Sequence, residues 1–135
     1  MTPKPALVSI LRQGPYLIAS VHTALDDSEM VRFRDDLIDQ IGRYRSRGVV
    51  IDVAALDVLD SFGSRTLRTI AEMARLRGAS TVIVGIQADV AVAMVQLGMG
   101  MGAVPTALDL EEGLAYLNGS AEHALSVDRG ARRRL

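Results

Sequence analysis

The sequence predicts an α/β domain, a mixed β-sheet carrying about four helices packed mainly on one of its sides. Three observations predict it. Residues 6–12 and 16–21 are rich in strand formers, and Gln13-Gly14-Pro15 between them supplies a hairpin turn. Two short apolar runs, at 49–53 and 81–84, read as buried strands. Stretches with helical spacing separate them, giving the order ββαβαβα(β)α, and single helices between later strands favour a sheet covered mainly on one side.

After the hairpin, Asp26 followed by Glu29 three residues on resembles a helix-capping box. The helix it opens places Met30, Phe33, Leu37, Ile41 and Tyr44 on one face at spacings of three and four, and Glu29, Arg32, Asp36, Asp39 and Arg43 on the other. Gly48 is expected to end it. The run at 49–53 is broken only by Asp52. A second long helix is expected over 61–77, with Leu67, Ile70 and Ala74 inward and Gly78 as its stop. A strand at 81–84 and a short helix at 89–97 follow. The glycine- and methionine-rich stretch 98–102 reads as a loop, and Ala103-Val104 as a brief edge strand. Asp109 with Glu112 resembles a second capping box, opening a last helix to about Asn118. From Gly119 the chain shows little apolar periodicity and runs to Arg132-Arg133-Arg134-Leu135. The expected division is a domain over 1–118 and a disordered tail over 119–135.

At 135 residues the chain fits one domain with a core of useful size. A net charge of −1 points to neither nucleic acid nor an acidic membrane surface. The absence of cysteine removes disulfides and thiolate metal sites and fits a reducing compartment. Met1-Thr2-Pro3-Lys4-Pro5 lacks the apolar run of a secretion signal, and no stretch approaches the ~20 apolar residues that spanning a bilayer needs. A soluble cytoplasmic protein is the expectation.

Catalytic sets are hard to assemble. His22 and His123 lie at a strand end and in the tail, without the companions that a metal site or a triad needs. The Gly98–Gly102 stretch follows a helix, whereas a dinucleotide fingerprint follows a strand and opens a helix. Asp52, Asp57 and Asp60 invite a receiver domain phosphorylated on aspartate, but the first strand ends Leu11-Arg12-Gln13, without the acidic pair that its magnesium site requires, and turn formation and helix capping account for Asp57 and Asp60. No enzyme, cofactor or metal is expected.

One hydroxyl stands out. Ser61 falls where a strand and a short acidic turn give way to a helix. Serine there is commonly a helix cap. Arg65, Arg68, Glu72 and Arg75 follow at offsets that share its helix face, so Ser61 is expected at the tip of a polar, outward ridge. A phosphate on it would add about −1.5 to −2 charges. The helix N-terminus and Arg65 favour that charge, while Asp57 and Asp60 oppose it. Leu59 and Phe62 flank the serine, either as core or as an apolar contact. Asp57, Leu59, Asp60, Phe62 and Arg65 are the candidate partner-binding residues. Ser64 and Thr66 stay open as competing acceptors. The helix at 89–97 is apolar on nearly every side, so it is either deeply buried or an assembly surface.

Val50-Ile51-Asp52, Asp60-Ser61-Phe62, Gly78-Ala79, Val84-Gly85-Ile86-Gln87, Val90-Ala91, Leu97-Gly98 and 107–114 together resemble the STAS domain, over about residues 5–118. Within it, the small stressosome antagonists are the most similar. The resemblance implies assembly with larger modulator proteins bearing STAS domains, and binding of a switch serine kinase. It also implies phosphorylation on Ser61 that releases the kinase, and a phosphatase that resets the system. Ala88 stands where members often have proline, and Ala93 where some carry a second phosphorylatable threonine. A direct anti-sigma-factor antagonist binding an anti-sigma kinase is the alternative within the fold. A small-ligand or anion-binding domain of the transporter-linked type is the reading from another class.

Overall fold

The computed structural model describes residues 6–119. Its elements run β1 (Val8–Gln13), β2 (Tyr16–Val21), α1 (Asp27–Tyr44), β3 (Gly48–Asp52), α2 (Ser61–Leu76), β4 (Ser80–Val84), α3 (Ala88–Gln96), β5 (Thr106–Ala107) and α4 (residues 110–119). The sheet is mixed, with spatial order β1-β2-β3-β4-β5. β1 and β2 pair antiparallel and the other neighbours parallel. The alternation of side chains along each strand divides the core in two. Leu17, Ala19, Val49, Ile51 and Ile83 face α1, α2 and α3. Tyr16, Ile18, Val50, Val82 and Val84 face α4 through Leu110, Leu114 and Leu117. Because both faces are covered, β3 is a continuous apolar run rather than an alternating one.

α1 buries Met30, Phe33, Leu37 and Ile41, and Asp26 caps it in a complete capping box with Glu29. Backbone and side-chain hydrogen bonds to the Asp26 carboxylate hold its pKa below the ordinary value. Tyr44, expected inward, is 39% exposed. Its ring instead lies under the Arg12 guanidinium, 4.8 Å from ring centre to Cζ. Gly48 does not stop this helix. Arg45 takes the left-handed conformation at φ 50° and closes it, and Gly48 already pairs in β3. Gly48 lies so close to Tyr16 and Leu117 that a Cβ would meet Leu117 at 3.0 Å. The edge strand forms at Thr106–Ala107, three positions after the expected Ala103-Val104, where Ile83 and Val84 offer backbone partners. At the start of α4, Glu112 N donates to Asp109 at 2.9 Å, but the Glu112 carboxylate accepts from Leu108 N at 3.0 Å, one residue earlier than a strict capping box. Residues 120–135, most of the expected tail and including His123, lie outside the described residues.

Candidate functional site

The segment between β3 and α2 is built from the sheet upward. Val53 N donates to Val84 O at 3.0 Å, which carries the parallel pairing one residue past β3. The Asp52 carboxylate then accepts from Ala54 N at 2.9 Å, turning the chain out of the sheet. Leu56 is buried and anchors the turn, while Asp57 and Val58 stand in solvent. Two residues of the next crossover lock the turn from the side. Gly85 packs directly beneath Ala54, and Gln87 Nε2 donates to Ala54 O at 2.8 Å. The Gly-Ile-Gln stretch read from sequence as a motif is therefore the clamp on the loop that presents Ser61.

Asp60, not Ser61, is the N-cap of α2. Its backbone is extended and its Oδ1 accepts from Gly63 N at 2.7 Å. Ser61 is the first helical residue and is exposed. Its hydroxyl is thus not the group that satisfies the helix start. Arg65 lies over it, with Nε donating to Ser61 O at 3.3 Å, so a guanidinium stands one turn from the hydroxyl. The competing hydroxyls are inside: Ser64 is 1% exposed, and Thr66 is buried with its Oγ1 donating to Phe62 O at 2.8 Å. Neither can enter a kinase cleft while α2 is intact.

Of the expected partner-binding residues, Asp57, Asp60 and Arg65 are exposed around Ser61. Leu59 and Phe62 are both half-buried against the main core, but only Leu59 also lines the surface beside Ser61. Arg65, Glu72 and Arg75 form the outward ridge, whereas Arg68 departs from it: half-buried, it keeps its Nε without a partner.

The wall opposite was not assigned from sequence. An open groove of about 550 Å³ runs between 57–61 and the α3 region, lined there by Asp89, Val90, Ala93, Leu97 and Met99. The only sequence signal for it was the excess of apolar residues in α3. Val90 and Met94 of α3 are buried, while Val92 and Val95 are exposed, Val95 at 81%. Deep burial of the whole helix is excluded, and among the described residues its Val92 and Val95 side leaves an uncovered apolar surface. His22 is exposed, its Nε2 2.7 Å from Ser9 Oγ. Among the described residues, no group of three or more His, Cys, Asp or Glu could hold a metal ion, and no helix is long and apolar enough to cross a membrane.

A serine-to-glutamate variant of RsbS from Moorella thermoacetica matches the structure with a TM-score of 0.75 and 33% identity, over 87% of this chain and 99% of that one. A chain from the molecular architecture of the stressosome, a signal integration and transduction hub, matches with a TM-score of 0.68 and 31% identity, over 84% of this chain and 98% of that one. In sequence, the RsbT co-antagonist protein RsbRA of Bacillus subtilis (strain 168) is 28% identical over 90 residues, 67% of this chain. The matched part is 33% of that relative's length. The STAS domain model matches residues 8–113, and the chain belongs to the STAS domain family.

Proposed function

We propose that this chain is a non-enzymatic antagonist and scaffold subunit of a stressosome-type assembly. It binds a switch serine kinase and releases it when Ser61 is phosphorylated; a phosphatase restores it, in the cytoplasm. One observation carries the reading. The exposed hydroxyl at the head of α2 is spared the capping role by Asp60, so it can take a phosphate without dismantling the helix start. The relatives support the setting: one is named a co-antagonist of RsbT, and another belongs to a stressosome.

The test is mass spectrometry after incubation with ATP and the switch serine kinase of the same genome. One added phosphate is expected, mapped to Ser61 and absent from Ser61→Ala. A phosphate elsewhere, or none, would remove the switch and leave an unregulated scaffold. Ser61→Glu is expected to weaken kinase binding at least about tenfold, a change of about 1.4 kcal/mol.

The exposed face of α3 is proposed as a contact for the larger STAS-bearing modulators. Val95→Asp is expected to abolish the large particle in sedimentation with a modulator. The isolated chain should still melt within about 2 °C of wild type, because an exposed residue contributes little to the core. An intact particle would count against the contact. A small complex holding only this chain and its kinase would favour direct anti-sigma antagonism instead.

A further inference from the structure

At the far edge of the sheet from α3, β1 pairs only with β2. The register runs Gln13↔Tyr16, Leu11↔Ile18 and Ser9↔Ser20, and His22 N donates to Leu7 O at 2.9 Å. Antiparallel ladders alternate hydrogen-bonded and non-hydrogen-bonded pairs. Leu7, Ser9, Leu11 and Gln13 therefore use their backbone groups on β2, and Val8, Ile10 and Arg12 direct theirs outward. Nothing among the described residues covers that row. An exposed edge of this kind is a template for another strand unless it is blunted by proline, a bulge or lysine. β1 has no proline, bulge or lysine, and its one charged residue, Arg12, lies near its end with the guanidinium laid over the Tyr44 ring.

The side chains agree with the backbone. Val8 and Ile10 are only partly buried, and Leu11, on the opposite face, is 64% exposed. An open groove of about 600 Å³ separates β1 from α1, with Val8, Ile10 and Phe33 as its apolar floor. Its rim carries both signs, Arg32 standing among Glu29 and Asp36.

We infer that the β1 edge is the contact between two identical copies of this chain, joined antiparallel about a two-fold axis at Ile10. In that register Ile10 pairs with Ile10 of the second copy, and Val8 with Arg12 in both directions. All three outward residues are satisfied, each pair exchanging two hydrogen bonds. A two-fold contact must be complementary to itself. The palindromic spacing of Val8, Ile10 and Arg12 meets that condition for the backbone, and the mixed-sign rim meets it for charge. A net charge of −1 adds little repulsion between copies. The dimer joins two five-stranded sheets into one, leaving Ser61 and α3 free on each copy. The inference deepens the assembly part of the proposed function, and its test needs neither kinase nor modulator.

The test is sedimentation of the full chain alone across concentration, with amide hydrogen exchange read at β1. The expected result is a dimer in which the Val8, Ile10 and Arg12 amides are protected, the protection falling on dilution. Ile10→Pro removes a donor that no strand of the same copy uses, and is expected to raise the dimer dissociation constant at least about a hundredfold. Leu11→Lys adds an edge lysine at an exposed position without touching the core, and should weaken the dimer while leaving the circular dichroism spectrum unchanged. Phosphorylation of Ser61 should proceed in both variants. A wild-type monomer at every concentration overturns the inference. So does a dimer whose β1 amides exchange as fast as those of the variants.

Discussion

Gly85→Ala is expected to destabilise the protein by about 3 kcal/mol, lowering Tm by on the order of 10 °C. Two effects add. The backbone at Gly85 has φ +82°, in the left-handed region, which costs an L-residue about 1–2 kcal/mol. The new Cβ would also stand 2.8 Å from Ala54 Cβ and 3.1 Å from Ala54 N, so the backbone itself must move. Overpacking of that kind typically costs about 1–3 kcal/mol. Gly78 provides an internal comparison. Its φ is +85°, yet nothing lies within 4 Å of the Cβ position, so Gly78→Ala should show only the conformational part. The difference between the two variants in thermal or urea unfolding isolates the close approach to Ala54. Since Ala54 belongs to the clamped loop, in the proposed role Gly85→Ala should also slow phosphorylation of Ser61, and Gly78→Ala should not. Equal losses of stability in both would sink the packing argument.

Gly113→Val is expected to cost a similar amount, about 3 kcal/mol, by a different route. Among the described residues α4 is the one helix on the second face of the sheet, and it sits close enough that a Cβ at position 113 would come 2.7 Å from Val84 Cγ1 and 3.4 Å from Val82 Cγ1. Valine also brings two methyl groups into this contact, and its better helix propensity recovers only a few tenths of a kcal/mol relative to glycine. The signature is local: amides of residues 110–119 should exchange faster, while α2 keeps its protection. Unchanged stability would mean that α4 can shift outward without loss, and that the second core is not closely packed.

Much of this architecture was legible because its signals are periodic and local. The hairpin, the Asp26–Glu29 cap of α1, the apolar runs of β3 and β4, and the inward Leu67, Ile70 and Ala74 of α2 all stand where their spacing put them. What escaped has physical reasons. β5 is two residues long, too short to carry a period, and its place is set by the backbone of β4. Arg45 closes α1 in a conformation for which glycine is the usual signal, so the later Gly48 drew the boundary too far. At the site, Asp60 and Ser61 are both good capping residues, and neighbouring sequence positions do not reveal which carboxylate or hydroxyl reaches Gly63 N. The wall of the groove comes from residues about 30 positions later, brought near by the β4 crossover, and only the fold makes that juxtaposition. Arg68 shares the helical phase of Arg65 and Arg75 but is drawn half inside beside Gly102.

The division of labour between Asp60 and Ser61 has a consequence for loss of function. Cells dispose of most damaging variants because these unfold, and proteolysis removes them. Position 61 offers no such alarm, since the helix start is held by its neighbour. In the proposed role, a subunit that has lost the hydroxyl would accumulate to normal levels, take its place among intact subunits, and hold its kinase permanently. One silent copy of that kind would poison the particles it joins, and the defect would be dominant.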